Sequence, residues 1–99
     1  MSKTIMKTRK NECYLCQKLL GIFEECETEE HHAFDGPNRK LSEHYGLKVN
    51  LCLGHHRITD QAVHNNIEML RIVQRDAQEA FEEKYPDLDF RAIFGRNYL

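Results

Sequence analysis

Two pairs of soft ligands, Cys13-x-x-Cys16 and Cys52-x-x-His55, stand 35 residues apart, and nothing else in the chain constrains its fold so tightly. Each pair has the spacing with which a tight turn aims two side chains at one ion. Together they offer the four tetrahedral ligands of a structural zinc site. The gap between the pairs exceeds the roughly 15 to 20 residues of a plain zinc ribbon, so a folded unit is inserted there. A chain of 99 residues has a modest core, and a metal staple offsets that deficit. Four cysteines and the lack of an apolar run long enough for a signal peptide or membrane span point to a reducing, cytoplasmic setting, with a disulfide framework as the weaker alternative. Cys26 has no partner spacing and receives no role.

Beyond those four ligands, His31, His32 and His56 are left over. Imidazoles with no structural ion to hold can form a second, open metal site, where hydrolytic chemistry takes place. A net charge of -2 argues against broad coating of nucleic acid, which needs a strongly basic domain. The charge is uneven, however. Lys3, Lys7, Arg9 and Lys10 make a basic N-terminal arm, and Arg39-Lys40 follow the histidine pair in a loop; phosphate is the ligand to expect at both. The acidic run 24–30 and the acidic residues near the C-terminus read as solvated faces.

The pattern predicts one α+β domain. Residues 1–11 read as a flexible basic arm, 13–64 as a zinc knuckle and metal-binding core, and 65–99 as a C-terminal helical part. Residues 17–28 supply a short helix or hairpin around Leu19, Leu20, Ile22 and Phe23. Strands are expected at 29–34 and 47–51, with a helical turn closed by Gly46 between them. A short helical segment carries His55 and His56. The longest helix starts at Asn65 or Asn66, where Asn65-x-x-Glu68 resembles a capping box. It presents Ile67, Leu70, Gln74, Ala77 and Phe81 to the core, widened by Met69 and Val73, turns Arg71 and Arg75 to water, and ends at Tyr85-Pro86. A final short helix is expected over 87–94.

This order, knuckle, strand with His31-His32, loop, strand, Cys52-x-x-His55-His56 and helix, resembles the HNH, or ββα-metal, endonuclease family. More narrowly, the run Glu30-His31-His32-Ala33-Phe34-Asp35-Gly36, with Arg39-Lys40-Leu41-Ser42-Glu43, Tyr45-Gly46-Leu47, Leu51-Cys52, His55-His56 and Phe94-Gly95-Arg96-Asn97-Tyr98-Leu99, is similar to phage-encoded nucleases of the RecA-dependent, recombination-enhancement type. The likeness covers most of residues 13–99.

The resemblance implies a small zinc-stabilised ββα-metal domain with a long C-terminal helix, acting on DNA in the host cytoplasm, with Mg²⁺ or another divalent cation for catalysis and a RecA filament as partner. It assigns His31 and His56 as ligands of the catalytic ion and His32 as general base, with His64 completing the shell or contacting phosphate. Strand neighbours point to opposite sides, so His31 and His32 can serve one centre only where the strand twists or ends. Leu47 occupies the register of the family's central asparagine, which leaves Asn50 or Asn38 to orient the base. Two other classes stay open: a non-catalytic zinc module that binds DNA or protein, and a metal hydrolase with another substrate.

Overall fold

Two short strands, β1 (Thr28–His32) and β2 (Lys48–Cys52), pair antiparallel with Thr28 opposite Cys52, Glu30 opposite Asn50 and His32 opposite Lys48 in a computed structural model that describes residues 3–99. The alternation of a strand then sorts the side chains. His31, Val49 and Leu51 share the face that meets the core, and Glu30, His32, Lys48 and Asn50 share the other. Between the strands lie a 3-10 turn (Gly36–Asn38) and α1 (Arg39–Tyr45). Ser42 fixes this connection from inside, donating from its hydroxyl to Phe34 O and accepting from Phe34 N, both at 3.1 Å.

Gly46 closes α1 in the left-handed region at φ 72°. A Cβ there would collide with the carbonyl oxygen of Lys3 and stand 3.1 Å from Ile5 N, because the N-terminal segment crosses this point. Residues 4–8, within the stretch 1–11 expected to form a flexible arm, instead run along β2. Ile5 N donates to Gly46 O at 2.9 Å, Thr4 Oγ1 donates to Lys48 O at 2.5 Å, Asn50 N donates to Thr8 Oγ1 at 2.9 Å, and Met6 enters the core. The edge of β2 is thereby covered, which relieves the exposure of unpaired backbone on an edge strand. Substituting Gly46 by alanine is expected to cost about 1–3 kcal/mol, from positive-φ strain and the collision together. Urea unfolding checks the cost, and faster proteolysis near Lys7 and Lys10 checks the loosening of the segment.

The long helix, α2 (Ile67–Lys84), starts where Asn66 Oδ1 accepts from Glu68 N at 3.0 Å and Met69 N at 3.4 Å. Asn66 is the cap, so the box reading from Asn65 is corrected: Asn65 Nδ2 donates to Arg57 O and Thr59 O, both at 3.0 Å. The apolar stripe follows the expected one from Met69 and Leu70 onward, with Gln78 added to it and Ile67 left out. Val73, Gln74, Ala77, Gln78 and Phe81 are buried, whereas Ile67 in the first turn faces solvent. Gln78 is fully enclosed and ties down the C-terminal tail, donating to Asn97 Oδ1 at 2.8 Å and accepting from Tyr98 N at 2.6 Å. The last helix, α3 (Phe90–Phe94), is shorter than expected and is capped by Asp89. Phe34, Phe81, Phe90 and Phe94 form the aromatic centre of the core. In the region 17–28, a single π-turn (Cys16–Leu20) replaces the expected helix or hairpin, and Leu19, Leu20, Ile22 and Phe23 are exposed. No helix among the described residues is long and apolar enough to cross a membrane.

Candidate metal centres

Three separate segments bring Cys13, Cys16, Cys52 and His55 together: the first π-turn, the end of β2 and a second π-turn (Gly54–Ile58). His55 Nδ1 lies 3.5, 3.3 and 3.4 Å from the sulfurs of Cys13, Cys16 and Cys52, and the Cys16 and Cys52 sulfurs are 3.9 Å apart. For bond lengths of about 2.3 Å to sulfur and about 2.05 Å to nitrogen, a tetrahedral zinc ion separates sulfur from nitrogen by about 3.5 Å and sulfur from sulfur by about 3.8 Å. The four side chains therefore have the mutual spacing that zinc imposes. A disulfide needs sulfurs at about 2.05 Å, so Cys16 and Cys52 are not joined. Burial and then the neighbouring thiols push the Cys16 thiol up to about 12. Such a thiol gives up its proton readily only beside a cation. Burial lowers the His55 imidazole, keeping it in the neutral form that a metal requires.

The second cluster is built from His31 on β1, His56 in the second π-turn and His64 in the loop before α2. His64 follows His56 by eight positions in the chain. The loop folds back on the π-turn through Val63 N to His55 O at 2.8 Å and His64 N to His56 O at 3.4 Å, which closes that distance. The ring centroids of His31 lie 5.4 Å from His56 and 5.3 Å from His64, and His56 Nε2 is 3.1 Å from His64 Nε2. His31 Nε2 is buried and has no hydrogen-bond partner among the described residues, a costly state for a polar atom unless something binds it. Burial first, then the charges of His56, His64 and His32, lower the His31 imidazole to about 3, so it presents a lone pair. One buried orphan nitrogen and two neighbouring imidazoles fit a divalent ion with positions left open to solvent.

Glu29, which received no role from its place in an acidic run, organises this cluster. Its Oε1 accepts from His56 Nδ1 at 2.8 Å and from Arg57 Nε at 2.9 Å, and its Oε2 accepts from Arg57 at 3.3 Å. Arg57 and then His56 hold its carboxyl down at about 2. With Nδ1–H committed to Glu29, His56 keeps its Nε2 lone pair for an ion, the arrangement by which a carboxylate orients a metal-binding histidine. Changing Glu29 to glutamine is expected to weaken divalent-ion affinity at the three histidines about 10- to 100-fold, with the cysteine cluster still loaded with zinc. Calorimetric titration of the zinc-loaded protein checks this.

His32 points elsewhere. Its Nε2 is 2.9 Å from Glu43 Oε1, and Lys48 Nζ lies 2.9 and 3.2 Å from the two oxygens of the same carboxylate and 3.6 Å from Glu30. The buried Lys48 ammonium supplies the positive charge among these acids, so this group has no need of a metal ion. His31 and His32 thus enter two different constellations, as the alternation of β1 dictates. Asn50 makes no hydrogen bond to His32 among the described residues; its backbone N–H is taken by Thr8. Asn38 Nδ2 donates to Phe94 O at 3.0 Å and fastens the loop to α3. The group bonded to His32 is Glu43, eleven residues along the chain, and no local spacing marks it in the sequence. Arg39 and Lys40 are exposed in the first turn of α1. No family model, curated protein or solved structure matches the chain.

Proposed function

We propose that this chain is a metal-dependent endonuclease of the HNH, ββα-metal type that hydrolyses phosphodiester bonds in DNA. The observation that carries the reading is the convergence of His31, His56 and His64 around a buried, unpartnered Nε2, with a further imidazole, His32, next in the chain. The succession of strand, strand and ligand-bearing helical turn supports the architecture.

A divalent ion at the three imidazoles supplies, when bound, positive charge for a phosphoryl oxygen and for the departing alkoxide. Three imidazoles suit a transition ion such as Zn²⁺ or Ni²⁺ better than Mg²⁺, which prefers oxygen ligands; the reading therefore moves away from magnesium. His32 is the general base: it is the last residue of β1, and the end of the strand is where it can turn to the centre that His31 serves from the opposite face. Donating Nε2–H to Glu43 leaves its Nδ1 lone pair to take a proton from the attacking water. Glu43 is itself held by Lys48, so the base is oriented by an ion pair in place of an asparagine such as Asn50. Arg39 and Lys40 meet substrate phosphate. A phage-encoded, recombination-linked role with a RecA filament as partner rests on the resemblance of the sequence runs alone.

The test is cleavage of plasmid, single-stranded DNA and a RecA-paired displacement loop, with Mn²⁺, Ni²⁺, Zn²⁺ or Mg²⁺ added in turn, by wild type and His31→Ala. Nicking by wild type that is lost in His31→Ala at equal zinc content of the cysteine cluster is the expected result. Silence of wild type on every substrate with every ion would replace this reading with that of a zinc-stabilised interaction module.

A further inference from the structure

Two guanidinium groups lie over the ring of Tyr98. Arg71 Cζ is 5.6 Å and Arg96 Cζ 5.2 Å from its ring centroid. Arg71 and Arg75, one turn apart on α2, line with Tyr98 a surface cleft of about 360 Å³ to which Glu68 contributes the one acidic side chain among the described residues, and Arg96 adjoins it through Tyr98. No carboxylate among the described residues forms an ion pair with Arg71, Arg75 or Arg96. Three unneutralised arginines in one place are notable on a chain of net charge -2, and they attract anions. Stacking on an aromatic ring also restrains a guanidinium before any ligand arrives, so less side-chain entropy is lost on binding.

The platform is rigidly placed. Tyr98 N is bonded to the buried Gln78 of α2, and the Tyr98 ring packs on Phe34 at 4.8 Å. Phe34 follows His32 by two residues, and α2 begins three residues after His64. Short, well-packed connections therefore join the arginine surface to both histidine-bearing segments. Because arginines cover Tyr98, the cleft presents charge in preference to a bare ring. That suits a sugar–phosphate backbone and is poorly suited to base stacking.

We propose that Arg71, Arg75 and Arg96 form a phosphate-binding surface that holds the backbone of the DNA substrate outside the three-histidine centre. The identity of the ligand rests on the nuclease reading; the surface itself does not.

The experiment reads binding separately from cleavage. Fluorescence anisotropy of labelled single-stranded and duplex oligonucleotides, without added divalent ion, is measured across salt concentrations for wild type, Arg75→Gln, the triple variant Arg71→Gln/Arg75→Gln/Arg96→Gln, and Lys84→Gln. Lys84 carries the same charge about 14 Å further along α2 than Arg75 and serves as the matched control. Each lost phosphate contact lowers the slope of log affinity against log salt by about 0.7 for single strands and about 0.9 for duplex. Arg75→Gln is expected to lose one such step. The triple variant is expected to lose two to three and to bind about tenfold more weakly or worse, and Lys84→Gln to match wild type. Arg75 is exposed and has no ion-pair partner to lose, so its variant reports even if the triple variant folds poorly. Equal slopes for Arg75→Gln and wild type would overturn the proposal while leaving a cleaving wild type a nuclease. Failure of wild type to bind DNA would overturn it as well, and would leave an acidic protein as the occupant to seek. Arginine-dependent binding by a protein that cuts nothing keeps the surface and removes the nuclease.

Discussion

Changing Cys52 to alanine, or extracting zinc with a strong chelator, is expected to abolish cooperative folding. Among the described residues the sheet has two strands, and a lone pair of strands is marginal in water. The cysteine cluster joins the first π-turn, the end of β2 and the second π-turn, segments that otherwise share few apolar contacts: Leu19 and Leu20 are exposed on the first π-turn and Ile58 on the second. Structural zinc sites contribute about 10–16 kcal/mol of apparent binding free energy at neutral pH, whereas the whole stability of a domain is about 5–15 kcal/mol. Loss of the ion therefore exceeds or cancels the net stability. Thermal melts followed by circular dichroism, together with zinc analysis, measure this. A chelated protein that still melts cooperatively within a few degrees of the zinc form would show that the phenylalanine core suffices alone.

The second large effect is expected at His32. Substitution by alanine should lower the rate of DNA cleavage by about 10²- to 10⁴-fold, the usual contribution of a general base, while both metal centres keep their affinities. The separation follows from geometry. His32 faces Glu43 and Lys48, whereas His31 on the opposite face joins His56 and His64. Single-turnover cleavage and metal content are to be measured on one preparation. A fall in ion content at the three-histidine centre would make His32 a ligand and not a base, and an unchanged rate would place the base elsewhere.

What the sequence discloses here depends on how local each device is. Cys13 with Cys16, and Cys52 with His55, can be read from spacing because a tight turn fixes each pair by itself. The strands, Gly46 as the close of α1, and the end of α2 before Pro86 are legible for the same reason. His64 is legible only as a candidate, since its approach to His56 depends on the backbone bonds of residues 63 and 64 to the second π-turn. Glu29 and Glu43 are hidden. The first is one carboxylate in an acidic run, and only the strand register and the π-turn set it against His56. The second meets His32 only after α1 has folded over β1. The N-terminal segment misleads because its lysines dominate its composition, while Thr4, Ile5, Met6 and Thr8 between them do the docking. The first turn of α2 misleads in the other direction: Ile67 has helical spacing but lies beyond the edge of the core.

His55 and His56 are consecutive residues in one short turn, yet they serve different clusters. An ion seated at the cysteines fixes the backbone from which His56 projects, and an ion seated at the three histidines restrains the backbone that carries His55. Each site thereby prepares the other. Thermodynamic reciprocity then requires that whatever factor zinc adds to the affinity of the open centre, the open centre adds to zinc. With an ion at each, the two centres would form a cooperative pair, and starving the chain of one ion would loosen its grip on both.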